Sequence, residues 1–125
     1  MQANIKPTEA ELEILNILWE QGPATVRTVH NELAQKKEVG YTTTLKLMQI
    51  MLDKGLVSRE ASGKMHVYTA EVNKERAQGQ MVQRMIETVF GGSAMQLVMQ
   101  ALGNHKTTKA ELDMIRDYLD KKTKK

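Results

Sequence analysis

Tyr41-Thr42-Thr43-Thr44 is followed closely by Lys46 and Gln49. On a helix, positions 42, 43, 46 and 49 project from one side, opposite an inward set of Thr44, Leu47, Met48, Met51 and Leu52. The outward residues share one chemistry, hydrogen bonding to flat polar edges. Threonine contacts a thymine methyl or a base edge, glutamine suits adenine, and lysine suits guanine or phosphate. A helix that reads duplex DNA offers such side chains from its N-terminal turns. A solvated face whose threonines cap the helix start would carry the same residues. The pattern therefore gains meaning only from the place of this helix in the chain.

Two further features could meet a polyanion. Ser62-Gly63-Lys64 is a tight turn flanked by Arg59 and His66. Such a turn can lie along the sugar–phosphate backbone, with Lys64 on a phosphate, although it is equally a plain turn. Arg27 sits where a second helix should begin, and either phosphate or a surface salt bridge suits it. The DNA-binding candidates are thus Arg27, Tyr41, Thr42, Thr43, Lys46, Gln49 and Lys64.

Other chemistries lack their parts. There is no cysteine, which removes disulfides, thiolate metal sites and cysteine nucleophiles and fits a reducing cytoplasm. His30, His66 and His105 are scattered, and read as ordinary surface or packing residues. Met81, Met85, Met95 and Met99 recur at four-residue spacing, which suits a methionine-lined interface better than a copper(I) site. No nucleophile elbow, phosphate loop or dinucleotide fingerprint is present. The chain reads as a non-enzyme with no cofactor and no metal.

The elements that must hold these residues follow from capping and periodicity. Thr8-Glu9-Ala10-Glu11 is a capping box that opens a first helix, with Leu12, Leu15, Ile17, Leu18 and Trp19 as its apolar stripe and Gly22-Pro23 as its end. Thr25 caps a second helix to about residue 35, burying Val26, Val29 and Leu33. The third begins near Thr42 and stops at Gly55. Residues 56–60 alternate as a short strand, 61–64 turn, and 65–70 return. The order helix, helix, helix, hairpin is that of a winged helix-turn-helix.

The remainder is helical. One helix spans about Asn73 to Phe90, Gly91-Gly92 breaks it, and Ser93 caps a strongly apolar helix to Leu102, for which burial on several sides is expected. A second capping box, Thr108 to Glu111, opens the last helix, and the lysine-rich tail from Lys121 to Lys125 is expected to fray. The fold class is mainly α with a small β-hairpin. A winged helix-turn-helix DNA-binding domain occupies residues 1–71, and a helical dimerisation domain occupies 72–125.

The net charge is +3, yet residues 1–70 carry as many acids as bases. Overall basicity is thus weak support for a nucleic-acid partner, and the positions of the charges must carry the case. No apolar run approaches the roughly 20 residues that span a membrane. With an N-terminus lacking a hydrophobic signal region, this points to a cytoplasmic protein without a membrane partner. The C-terminal helices are too few and too apolar to hide their own surface, and a second copy would cover them. A two-fold dimer then presents two reading helices to a palindrome. The competing reading is a protein-interaction module that uses the apolar C-terminal helices on a winged-helix scaffold.

These residues also carry a resemblance. Thr8 to Leu15 with Leu18-Trp19, Tyr41 to Leu45, Lys54 to Val57, Val67-Tyr68, and Phe90 to Ser93 with Leu97-Val98 resemble the penicillinase repressor family of the BlaI/MecI type, to which the copper-responsive CopY repressors belong. The similarity covers essentially the whole chain. It implies a homodimeric repressor of transcription that binds palindromic operators, controlling antibiotic-resistance or stress genes. It places DNA contact at Thr42, Thr43, Lys46 and around Lys64, and dimerisation at Met81, Met85, Val89, Phe90, Leu97, Val98, Ile115 and Leu119. It also brings in a regulatory protease as a candidate partner. Gln100-Ala101 stands where the family's penicillinase repressors carry a cleaved Asn-Phe bond, and the cysteine pairs of the copper branch are absent. The resemblance therefore implies a repressor without specifying its inducer.

Overall fold

The computed structural model describes residues 6–124. They form α1 (Glu9–Gln21), α2 (Val26–Ala34), α3 (Tyr41–Lys54), β1 (Val57–Ser62), β2 (Met65–Ala70), α4 (Lys74–Thr88), α5 (Ala94–Asn104) and α6 (Lys109–Thr123). This is a winged helix-turn-helix followed by a helical region.

Most helix starts are set by one side chain. Thr8 and Thr108 each close a full capping box, Thr25 and Ser93 accept from the third residue beyond them, and Asn73 Oδ1 accepts from Arg76 N. Each such bond satisfies an N–H that the helix itself leaves without a partner. The exception is α3. Its N-cap is Gly40, which has no side chain to offer, so Thr42 does not open the helix. At the other end Gly55 adopts a left-handed φ of 81° and its N–H returns to Leu52 O and Met51 O, a geometry in which glycine carries no Cβ penalty.

The core joins three helices and the hairpin. Ile14, Leu15, Ile17 and Leu18 of α1 meet Val29 and Leu33 of α2, Met48 and Met51 of α3, and Leu56, Val57 and Tyr68. Ile14 belongs to this cluster although it is absent from the stripe read in the sequence, while Leu12 and Trp19 pack at its margin. The strands pair antiparallel from Val57 with Ala70 to Ser62 with Met65, so β1 runs two residues further than its alternation suggests. Only Gly63 and Lys64 remain as the loop, and Gly63 supplies the positive φ, 64°, that a two-residue hairpin demands.

Two long-range contacts fix the hairpin on the helices. Ala24, in the α1–α2 connection, exchanges both backbone hydrogen bonds with Tyr68, at 3.0 and 2.8 Å. Trp19 Nε1 donates to Val72 O at 2.9 Å. The Trp19–Val72 bond spans 53 residues of sequence, and Ala24 and Tyr68 are likewise remote, so no local pattern announces either contact.

The described residues divide into two compact units between Met81 and Val82, within α4, whereas the sequence reading puts the junction near Glu71. The first turns of α4 carry a fully buried residue, Ala77. In α5 and α6 no residue is buried, contrary to the expectation of burial on several sides for α5. Met95 is 71% exposed and Met114 70%. The tail also departs from expectation, since α6 continues through Lys121 and Lys122 to Thr123. Cations there suit the negative end of the helix dipole. Lys125 lies outside the described residues.

Candidate nucleic-acid interface

The α3 helix divides its circumference cleanly. Thr44, Met48 and Met51 are buried, whereas Thr42, Thr43, Lys46 and Gln49 are exposed. At 3.6 residues per turn the exposed four fall within about a third of the circumference. Tyr41, Leu45 and Gln49, spaced four apart, border a cleft of about 600 Å³.

The opposite wall of that cleft is the hairpin. Residues paired across antiparallel strands share a face, and alternate residues along a strand repeat it. Arg59 pairs with Tyr68 and Ala61 with His66, so Arg59, His66 and Tyr68 face the same way. All three line the cleft together with Lys64 at the loop. Arg59 Nη1 is 3.5 Å from the Tyr68 hydroxyl, whose ring is buried in the core. The third wall is the start of α2, where Arg27 lies with its guanidinium carbon 4.4 Å from the Tyr41 ring centroid.

Charge is sorted around this cleft. Its lining includes Arg27, Arg59, Lys64 and His66 and no carboxylate. The acids lie elsewhere, and they take up other lysines: Glu13 pairs with Lys37 at 2.7 Å and Glu11 with Lys54 at 2.9 Å. Among the described residues no carboxylate pairs with Arg27, Lys46, Arg59 or Lys64. Arg27 thus makes a ring contact, not the surface salt bridge that its sequence position allowed. The charge balance over residues 1–70 conceals a cationic face, which is what polyanion binding requires.

The uncapped start of α3 adds to the same field. The first N–H groups of a helix have no intrahelical partners, and here no side chain covers them. That end carries partial positive charge, beside Thr42 and Thr43. The threonines therefore stand free for contact instead of capping the helix, while the fourth residue of the run, Thr44, turns inward to the core.

One neighbour of the cleft, His30, and the shared face of Arg59 and His66 are not evident from the sequence. His30, an ordinary surface or packing residue by sequence, has its Nδ1 3.1 Å from Thr44 Oγ1, and its ring meets Tyr41 edge-on, with centroids 5.5 Å apart. Arg59, a weaker phosphate candidate than Lys64 in the sequence, and His66 share the cleft face. The strand register supplies that signal, and it was obscured by ending β1 two residues early.

The C-terminal candidates gather no comparable polar site. Met85, Val89, Val98 and Leu119 are exposed, and Met81, Phe90, Leu97 and Ile115 are half-buried. Between α5 and α6, Leu102, Met114 and Ile115 border an open cleft of about 410 Å³. Among the described residues no three His, Asp or Glu side chains assemble as a metal site. No described helix is long and apolar enough to cross a membrane.

Known proteins resemble this chain along most of its length. A family model described as penicillinase repressor matches residues 7–121. The chain is 22% identical over 116 residues to a penicillinase repressor of Staphylococcus aureus, covering 93% of this chain and 92% of that one. It is 24% identical over 115 residues to the methicillin resistance regulatory protein MecI of S. aureus strain N315, covering 92% and 94%. It is 29% identical over 87 residues to the transcriptional regulator BlaI of Mycobacterium tuberculosis, covering 68% and 63%.

Proposed function

The chain belongs to the penicillinase repressor family, and from that premise we propose that it represses transcription by binding palindromic operators as a homodimer. At the coarser level it is a transcriptional repressor of the BlaI/MecI type and not an enzyme. The finer reading assigns base contact to Thr42, Thr43, Lys46 and Gln49 of α3. Arg27 and Lys64 hold phosphates on either side, and Tyr41 borders the groove. Residues 1–71 read DNA, and residues 72–125 dimerise.

The observation that carries this reading is the carboxylate-free cleft between α2, α3 and the hairpin, bordering an exposed row of hydrogen-bonding side chains. Phosphate contacts fix register, and base-edge contacts supply sequence. A face with cations at its margins and Thr, Thr, Lys and Gln at its centre has the parts for both.

The apolar residues left open on α4, α5 and α6 support the dimer. Met85, Val89, Val98 and Leu119 are large, exposed and distributed over all three helices. A second copy would cover them and set two α3 helices one DNA turn, or a multiple of it, apart. A cytoplasmic location and a regulatory protease belong to the same reading. The protease would have to cut elsewhere than at an Asn-Phe bond, because Gln100-Ala101 occupies that place in α5.

Binding measured by fluorescence anisotropy at stepped salt tests the mechanism. Operator affinity should fall steeply and linearly in log–log form as phosphate contacts are screened. An affinity indifferent to salt would contradict the assignment and favour a protein partner.

A further inference from the structure

We propose that His30 is a positioning residue for base reading, holding the first turn of α3 through the Thr44 hydroxyl and the Tyr41 ring. The inference rests on the assignment of α3 as the reading helix. It begins from the anomaly at the start of that helix. The first turn that carries Thr42 and Thr43 has no side-chain cap of its own, unlike α1, α2, α5 and α6. Its orientation must come from outside.

It comes from α2. Arg27 and His30, three residues apart, share one side of α2. They meet Tyr41 and Thr44, also three residues apart, on α3. The Thr44 hydroxyl is fully buried and lies within hydrogen-bond reach of His30 Nδ1 at 3.1 Å and of Gly40 O at 3.4 Å. Either partner of the His30–Thr44 pair can donate, according to the imidazole tautomer. That bond fixes the plane of a ring which then abuts Tyr41 at an interplanar angle of 80°. Tyr41 is held in addition by Arg27.

The two clamped residues bracket the two reading threonines. Thr42 and Thr43 lie between Tyr41 and Thr44 in the same turn, so any slack at either end moves them directly. Recognition geometry has to be held within about 0.5 Å to be effective. Loss of the clamp should therefore erode discrimination between sequences, while phosphate contacts, which tolerate small displacements, persist.

The test compares full-length wild type, His30→Ala and His30→Asn. Each is titrated with an operator duplex selected by the wild type and with a scrambled duplex of equal length, at matched salt. Thermal unfolding and the Tyr41 ring resonances are recorded alongside. His30→Ala should lower the ratio of specific to non-specific affinity about tenfold, leave non-specific affinity within about a factor of two, and shift the Tyr41 resonances. His30→Asn, whose side-chain amide can donate near the Nδ1 position, should recover most of the ratio. Should His30→Ala fail to fold, the near-isosteric Thr44→Val removes the same hydrogen bond and is read by the same ratio. An unchanged ratio, or equal loss on both duplexes without rescue by asparagine, would overturn the proposal while leaving the interface standing. A wild type that prefers no sequence would overturn the interface itself, and the proposal with it.

Discussion

Lys46 sits on the exposed arc of α3 with no carboxylate beside it. No ion pair among the described residues ties its ammonium to the fold, so its removal isolates a binding role. Lys46→Ala should weaken operator binding by about 1–3 kcal/mol if it reads guanine. Unfolding should shift by no more than about 0.5 kcal/mol, as for an ordinary surface substitution. Anisotropy titration and thermal unfolding check the two halves, and an unchanged dissociation constant removes Lys46 from the site. Contrast Lys54, which looks similar in sequence but donates to Glu11 at 2.9 and 3.0 Å. Glu11 is only 2% exposed, and also accepts from Thr8 N. One lysine serves the core and the other is free for a ligand. Sequence spacing separates them only once the buried stripe of the helix is known.

At the scale of elements, capping chemistry was the most legible feature. Thr8, Thr25, Ser93 and Thr108 act as N-caps because a hydroxyl followed by a helical run has one good use. One cap also gives a pH dependence. The Thr108 backbone N–H and then its hydroxyl, bonded to Glu111 at 3.0 and 3.2 Å, hold the Glu111 carboxyl below its ordinary value of 4.5. A depressed carboxyl pKa means that the stabilisation is present above the ordinary value and is lost as pH falls through the folded-state value. Hydrogen exchange in the first turn of α6 should therefore show protection at neutral pH that declines on acidification beyond the intrinsic rate change. A Glu111→Gln variant should lack that decline, and a wild type without it would contradict the cap. What stayed hidden was long-range. The Ala24–Tyr68 bridge, the Trp19–Val72 bond and the His30–Thr44 contact join elements whose mutual angle no periodicity encodes. Even β1 was cut short, because Ala61 and Ser62 look like turn residues until the two-residue loop shows them paired.

At the scale of the molecule, the order of elements and the exposed arc of α3 were visible in the sequence, since both follow from periodicity. The cationic cleft was not, because acids and bases balance over the first seventy residues and only folding sorts them. The apolar C-terminal helices posed the opposite problem. Their composition suggested burial, yet one chain leaves α5 and α6 without a buried residue. Val98, 48% exposed, is the better probe of the dimer than half-buried Leu97, whose replacement would also disturb packing within the chain. Val98→Asp should fold and sediment as a monomer, because an interface would have to bury an unpaired carboxylate. A dimer persisting in ultracentrifugation would place the interface elsewhere.

The central claim, that this is a dimeric reader of palindromic DNA, is tested most directly by selecting bound duplexes from a random pool, with Lys46→Ala in parallel. A palindromic motif should be enriched by the wild type and lost or degraded in the variant. No enrichment at low salt would contradict it, and would turn attention to protein partners of the C-terminal helices.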